Sequence, residues 1–93
     1  MVITSINNDA PSGTDAVDAV VIETGYVPEA ALQTCRALRA SGIDVPVLVV
    51  TARNTAEERI EAFDAGADAC LSEPIVVDEL LARLRALLRS HPP

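Results

Sequence analysis

Three polar residues stand where apolar runs of the sequence end, and their side chains could bind a polar ligand. Thr51 follows the run at residues 47–50, Glu23 follows the run at 19–22, and Glu73 closely follows the run at 69–71. Short, uninterrupted, β-branched runs are typical of strands buried on both faces of a parallel sheet. The carboxyl ends of such strands face the ligand crevice. Thr51 is therefore the reference residue for a candidate site, and the alternative is that all three residues are solvated strand ends.

The first half of the chain predicts two strands and a helix. Residues 1–6 form a short β-prone run, and residues 7–14 (NNDAPSGT) collect turn-forming residues. The run that ends at Glu23 predicts the second strand. Pro28 suits the first turn of a helix, and Gly42 suits its C-terminal end. The apolar positions that predict the buried face of this helix are Ala31, Leu32, Cys35 and Leu38.

The second half predicts a strand that ends at Thr51, then a helix, a short strand and a last helix. Thr55 and Glu58 have the spacing of a capping box, in which each side chain bonds the backbone N–H of the other residue. Ile60 and Phe63 are predicted to form the buried face of that helix. The last helix has one apolar stripe, which consists of Leu80, Leu81, Leu84, Leu87 and Leu88.

Strands that alternate with helices predict an α/β fold with a parallel sheet. With about four strands and three helices, the 93 residues are expected to form one domain. We divide it into an N-terminal strand and loop at residues 1–17 and a core at residues 18–93. We expect no second domain after the last helix, because only residues 91–93 follow it.

Composition excludes two classes of partner. The chain has 14 acidic and 7 basic residues, a net charge of −7, and every basic residue is arginine. This balance argues against binding to nucleic acid or to an anionic membrane, both of which need clustered positive charge. Cys35 and Cys70 lack the close spacing of a metal or redox pair, which predicts reduced thiols. We expect a soluble, unprocessed, cytoplasmic protein.

Three phrases of the sequence carry a family resemblance: DAVVIE, VPVLVVTARNTAEERIEAFDAGADACLSEP and DELLARLRALLR. Together they resemble the receiver domain of bacterial two-component response regulators, especially the winged-helix transcription-factor branch. The resemblance covers most of the chain. It implies a flavodoxin-like, doubly wound sheet that is shortened at its N-terminus. In this family, the crevice holds Mg²⁺ and accepts a phosphoryl group from a histidine kinase.

Carried over by position, the resemblance implies a degenerate phosphorylation site. Glu23 stands at the position of the phosphoacceptor aspartate, and Glu73 stands at the position of the lysine that holds the phosphoryl oxygen. Cys70 replaces the aromatic residue that reports phosphorylation. Thr51 and Pro74 match the family pattern. Because phosphoryl transfer requires cations that neutralise charge, two glutamates in the crevice predict that the domain does not accept phosphate.

The N-terminal residues allow two alignments with the family. In one, residues 1–6 match the second strand of the family, so the first strand and helix are absent. In the other, residues 1–6 take the place of the first strand, and Asn7, Asn8 and Asp9 are a degraded acidic cluster. Apolar surface and strand edges left open by a missing strand would favour dimerisation or strand exchange.

The resemblance also implies a two-fold dimer surface held by charge pairs. Arg59 and Glu79 match one pair of that surface, and Asp68 and Arg83 match a second, although Ala69 replaces one acid of the family's doublet. The leading hypothesis is therefore a non-enzymatic regulatory module without a bound cofactor. Its expected partners are a second copy, another response regulator or a histidine kinase.

Two alternatives remain open at the level of sequence. In the first, the domain accepts phosphate on another carboxylate such as Asp9. In the second, Glu23 and Glu73, with or without Asp9, bind Ca²⁺ or Mg²⁺ because two like charges in one crevice favour a bound cation.

Overall fold

The elements follow the predicted order. The computed structural model describes residues 2–6, 18–25, 28–53 and 55–90, and Asp9 lies outside these ranges. The strands are β1 (Val2–Ile6), β2 (Ala19–Glu23), β3 (Val47–Thr51) and β4 (Ala69–Ser72). The helices are α1 (Pro28–Ala40), α2 (Ala56–Ala65) and α3 (Val77–Ser90). The sequence thus predicted the number, type and order of the elements.

The four strands form one sheet in the order β1-β2-β3-β4. Strands β2, β3 and β4 are parallel, but β1 pairs antiparallel with β2, so the prediction of a wholly parallel sheet is wrong at this edge. A parallel connection needs a crossover of roughly a dozen or more residues, usually a helix. The turn-forming residues 7–14 do not favour such a helix, which agrees with the antiparallel pairing.

The position of β1 agrees with the second alignment, in which residues 1–6 take the place of the family's first strand, but its direction does not. In a flavodoxin-like sheet of order 2-1-3-4-5, the third strand lies beside the first. The resemblance places β2 at the third position, so β1 occupies the position of the first strand while running in the opposite direction. Neither alignment anticipated this reversal.

The sheet is covered on both faces. On one face, Val20, Ile22, Val47 and Val49 pack with buried residues of α1 and α2, namely Ala31, Leu32, Cys35, Ala62 and Ala65. On the other face, the buried residues are Ala19, Val21, Leu48, Val50, Ala69, Leu71 and, from α3, Leu84. The sheet is therefore doubly wound, as predicted. Strand β3 is buried on both faces along its whole length.

The buried face of α2 was predicted wrongly. Ile60 and Phe63 are 59% and 48% exposed, whereas Ala62 and Ala65 are buried. Small side chains allow α2 to pack closely against its neighbours, so its large apolar residues project outward. The Thr55 hydroxyl accepts a hydrogen bond from the Glu58 N–H at 3.1 Å, which confirms half of the capping box.

The C-terminal end of α2 depends on a glycine. Gly66 has a φ of 114°, in the left-handed region that favours glycine. A Cβ at this position would lie 2.7 Å from the Cγ of Arg39. The turn therefore excludes a larger residue for two reasons, backbone conformation and contact with Arg39.

The side chain of Arg39 ties the end of α1 to the turn after α2. Its Nε and one terminal nitrogen donate to the carbonyl of Gly66 at 3.1 and 2.9 Å. Its other terminal nitrogen donates to the carbonyls of Ile43 and Val45 at 2.9 and 2.7 Å. One guanidinium thus holds three backbone carbonyls from two loops.

Asp68 completes this network beside the first residue of β3. Its Oδ2 lies 2.7 Å from a terminal nitrogen of Arg39 and accepts a hydrogen bond from the Val47 N–H at 2.8 Å. The N–H of Asp68 donates to the Val47 carbonyl at 2.7 Å. The Arg39–Asp68 pair therefore fixes the amino ends of β3 and β4 relative to α1.

We predict that Arg39→Met lowers the free energy of unfolding by about 2–4 kcal/mol, because it leaves part-buried carbonyls and a carboxylate without their donor. Urea unfolding followed by circular dichroism measures the change. Arg36→Met is the matched control, because the ion pair of Arg36 among the described residues, with Glu29 at 3.6 Å, is exposed. The control should change stability by less than about 0.5 kcal/mol. Equal effects of the two variants would contradict the role of Arg39.

Candidate functional site

The three parallel strands bring Glu23, Thr51 and Glu73 together at their carboxyl ends. Glu23 is paired in register with Val50, the residue before Thr51. The N–H of Glu73 donates to the carbonyl of Thr51 at 2.9 Å. Glu23 is half-buried and Glu73 is exposed. The structure therefore places the predicted crevice residues at one edge, as expected for the carboxyl ends of parallel strands.

The hydroxyl of Thr51 is turned into the protein. Thr51 is 2% exposed, and its Oγ1 lies 2.7 Å from the carbonyl oxygen of Arg53 and 3.3 Å from that of Leu71. A hydroxyl has one proton to donate, and the shorter distance favours Arg53 as its acceptor. In this conformation the proton is not available to an anion in the crevice.

Two charged residues near Thr51, Arg53 and Glu58, form an ion pair. The Nε of Arg53 lies 3.3 Å from Oε1 of Glu58, whose side chain is largely buried. The second oxygen of this carboxylate, Oε2, is buried and has no hydrogen-bond partner among the described residues. The sequence analysis placed Glu58 in a capping box, but its carboxylate pairs with Arg53. The role of Glu58 in the site was missed, because capping spacing does not reveal this contact.

Two cavities lie beside the start of α2. The first has a volume of about 10 Å³, close to the space that one water requires, and it reaches both Thr24 and Thr51. The second is a more open groove of about 230 Å³, bounded by Pro28, Arg53 and acidic residues of α2. Glu58 and Glu61 line both cavities. The space that the described residues leave next to Thr51 is thus close to the size of one water.

The cation hypothesis for the crevice remains a prediction. Across the described ranges, no group of three or more His, Cys, Asp or Glu side chains is arranged to hold a metal ion. Asp9, the third proposed ligand, lies outside those ranges. Glu23 and Glu73 remain the candidate carboxylates for such an ion.

Cys70 lies next to Thr51 and packs, partly buried, against the core between the sheet and the helices α1 and α2. Burial raises the pKa of the Cys70 thiol, while the Thr51 hydroxyl and the positive charge of Arg59 act in the opposite direction. Burial likewise raises the pKa of Cys35. Both cysteines are free thiols, and both are protonated at neutral pH. They behave as small apolar side chains rather than as nucleophiles.

The predicted dimer residues lie on α2, on α3 and beside β4. Helices α2 and α3 pack on opposite faces of the sheet, and both flank its edge strand β4. Glu79 and Arg83 are exposed and Arg59 is half-buried. Asp68, predicted to pair with Arg83 of a second copy, is bonded to Arg39 within its own chain. The sequence analysis missed the exposed apolar residues of this surface, namely Ile60, Phe63, Val76, Val77 and Leu81.

Within the described part of the chain, no helix has both the length and the apolar character needed to cross a membrane.

A doubly wound sheet with a polar crevice at its carboxyl edge defines the flavodoxin-like class. The sequence model of the response regulator receiver domain matches residues 9–85, so the chain belongs to that family. Response regulator MprA of Mycolicibacterium vanbaalenii is 48% identical over 79 residues, which cover 85% of this chain and 34% of MprA. The chain thus spans about a third of the length of this relative.

Solved structures show the same fold. The Francisella response regulator 1452 receiver domain superposes with a TM-score of 0.76 at 28% identity, over 85% of this chain and 65% of that domain. HP1043, an orphan response regulator of H. pylori, gives a TM-score of 0.67 at 30% identity over 77% of this chain and 58% of that one. The chain is therefore a receiver domain of two-component signalling, a family whose members interact with histidine kinases and other regulators.

The pH dependence of stability tests the two thiol environments. Because burial raises the pKa of Cys35 and of Cys70 above the ordinary value of 9.0, the folded state holds these protons more tightly than the unfolded state. This stabilisation is complete below the unfolded-state pKa and is lost as the pH rises through the folded-state pKa values. We expect the free energy of unfolding to fall as the pH rises above the ordinary thiol value of 9.0, as measured by urea titration.

The double variant Cys35→Ala/Cys70→Ala is the control for this prediction. The chain contains no lysine, so the thiols and Tyr26 are the side chains that titrate in this pH range. The variant keeps Tyr26, and its stability should depend less on pH above 9. Parallel profiles for the two proteins would show that the thiols do not contribute.

Proposed function

We propose that this chain is a receiver domain that does not accept a phosphoryl group and that regulates signalling through protein contacts. The observation that carries the proposal is the conformation of Thr51, whose hydroxyl is bonded to the Arg53 carbonyl at 2.7 Å. By the family resemblance, this hydroxyl would otherwise face the phosphoryl group. In this conformation the proton of the hydroxyl is already donated within the protein.

The charges of the crevice support the same proposal. Phosphoryl transfer depends on positioning and on cations that neutralise the developing charge. Glu73 places a carboxylate at the position of the family's lysine, and Glu23 places a longer acid at the position of the phosphoacceptor. The nearby guanidinium of Arg53 is paired with Glu58 at 3.3 Å. This arrangement opposes a phosphoryl anion, and the charge of Glu23 can imitate the phosphorylated state.

The surface formed by α2 and α3 supports a role in protein contacts. Ile60 and Phe63 on α2 and Leu81 on α3 are 59%, 48% and 45% exposed. Exposed apolar patches rimmed by polar groups mark interaction sites. Arg59 and Glu79 supply opposite charges to the same surface. We define these five residues as the α2–α3 surface, and we propose that it forms a two-fold dimer or binds another regulator or kinase.

The internal contact of Asp68 changes the expected charge pairs of that dimer. Its carboxylate is 2.7 Å from Arg39, so an ion pair with Arg83 of a second copy would have to share it. We therefore propose Arg59 and Glu79 as the main charge pair between copies. Arg83 stays exposed and available to a partner other than a second copy.

We predict that the crevice does not bind a phosphoryl mimic. In an amide NMR titration with Mg²⁺ and beryllofluoride, the signals of Glu23 and Thr51 should not move. The double variant Glu23→Asp/Glu73→Lys is the matched control, because it restores the family's acid and cation, and its signals should shift. Shifts in the unchanged protein would contradict the proposal.

Incubation with acetyl phosphate and Mg²⁺, followed by intact mass measurement, tests transfer to any other carboxylate, Asp9 included. We expect no added phosphoryl group. A phosphorylated product would favour the alternative of a phosphoacceptor. Mg²⁺ or Ca²⁺ shifts that disappear in Glu73→Ala would favour the cation-binding alternative.

Charge reversal tests the α2–α3 surface. Arg59→Glu and Glu79→Arg should each raise the dimer dissociation constant about tenfold, since a two-fold axis repeats every lost pair. Combining the two variants in one chain should restore most of the affinity, because the charge pair is re-formed with exchanged sides. Sedimentation equilibrium measures the constants, and Arg36→Glu on α1 is the control. No rescue in the combined variant would contradict the pairing.

A further inference from the structure

Among the described residues, the sheet ends at β1, whose outer edge pairs with no other strand. In the order β1-β2-β3-β4, β1 pairs only with β2 among the described residues. Alternate residues of such an edge strand direct their N–H and C=O groups away from the sheet. These groups form a template for another extended strand.

The two edges of the sheet differ in charge. β1 reads VITSI and has no charged residue, although the chain as a whole has a net charge of −7. β4, at the other edge, has four residues and lies between two acids, Asp68 and Glu73. Charges at an edge oppose pairing with another strand. Two copies of β4 would bring like charges together, whereas two copies of β1 would not.

The fold class has room for a strand at this place. In the order 2-1-3-4-5, another strand lies outside the first position, which β1 occupies here. The chain covers only 65% of the Francisella receiver domain with which it superposes. The place beside β1 therefore corresponds to a strand position in the complete fold.

We propose that β1 pairs edge to edge with β1 of a second copy of this chain. A two-fold axis at Thr4 makes the two strands antiparallel and joins the two sheets into one of eight strands. In this register Thr4 faces Thr4 of the second copy, and Val2 faces Ile6 of the second copy. The absence of charge along β1 favours a second copy as the partner, because two such strands bring no like charges together.

This contact is separate from the α2–α3 surface. β1 and β4 are the opposite edges of the sheet, and α2 and α3 both pack near β4. A protein with two different two-fold contacts forms open chains of copies rather than closed dimers. The β1 contact is therefore tested in a chain that contains Arg59→Glu, which weakens the other surface.

A charge exchange at Thr4 tests the pairing. Thr4→Lys and Thr4→Glu each place like charges opposite one another at the two-fold axis, so each should raise the dimer dissociation constant at least about tenfold. An equimolar mixture of the two variants should dimerise as well as or better than the parent, because opposite charges then face each other. Thr4→Val, which adds no charge, is the control and should leave the constant within about twofold.

Cysteine cross-linking tests the register independently of charge. In a chain with Cys35→Ala and Cys70→Ala, Thr4→Cys should form a disulfide with itself under mild oxidation, because directly opposed residues lie within disulfide distance. Val2→Cys is the matched control. Its two copies would be roughly 13 Å apart along the strands, too far for a disulfide.

If the chain that carries Arg59→Glu alone is monomeric, the β1 proposal is overturned, while the proposed function stays intact. A Lys and Glu mixture that binds no better than either variant alone would also overturn it. Equal cross-linking at positions 2 and 4 would exclude the proposed register. Hydrogen exchange at Val21 and Ile22, which pair with β1, verifies that each variant keeps the strand in place.

Discussion

The burial of β3 on both faces is the constraint on which the other elements depend. A strand with no solvent-facing side must have helices above and below it, and it must pair along both edges. Val47 and Val49 face the helices α1 and α2, while Leu48 and Val50 face α3. The same strand ends at Thr51, so the packing that stabilises the core also determines where the crevice lies. A substitution that shifts β3 in the core would therefore also move Thr51 in the crevice.

The sequence predicted this arrangement well where its pattern had one physical solution. The apolar run of β3 is a buried strand, as predicted, and four of the five leucines of the α3 stripe pack against the core, whereas Leu81 is 45% exposed. Ile60 and Phe63 show the limit of that reasoning, because an apolar side chain on a helix can face either the core or a partner protein. Ala62 and Ala65 face the core because their small side chains allow the helix to pack closely. A single sequence does not show whether the small or the large apolar residues of a helix are the buried ones.

The direction of β1 and the role of Glu58 could not be predicted for a different reason. Strand direction depends on how residues 7–17 connect β1 to β2, and hydrophobic pattern contains no information about direction. The contact of Glu58 with Arg53 depends on how the loop after β3 folds back. The positions of Glu23 and Glu73 were accessible, because the carboxyl ends of parallel strands must meet. Sheet topology thus determines which residues meet at the crevice, but it does not determine which side chains bond to each other.

The turn at Gly66 has a consequence for a surface that it does not belong to. A side chain there would displace Arg39, because a Cβ would lie 2.7 Å from Cγ of that arginine. Arg39 forms the ion pair with Asp68, so its displacement would remove that pair from the carboxylate. Asp68 matches an acid of the family's dimer surface, and Arg83 would then compete for it. A substitution of Gly66 can therefore determine whether Asp68 is paired with an arginine of its own chain or with Arg83 of a second copy.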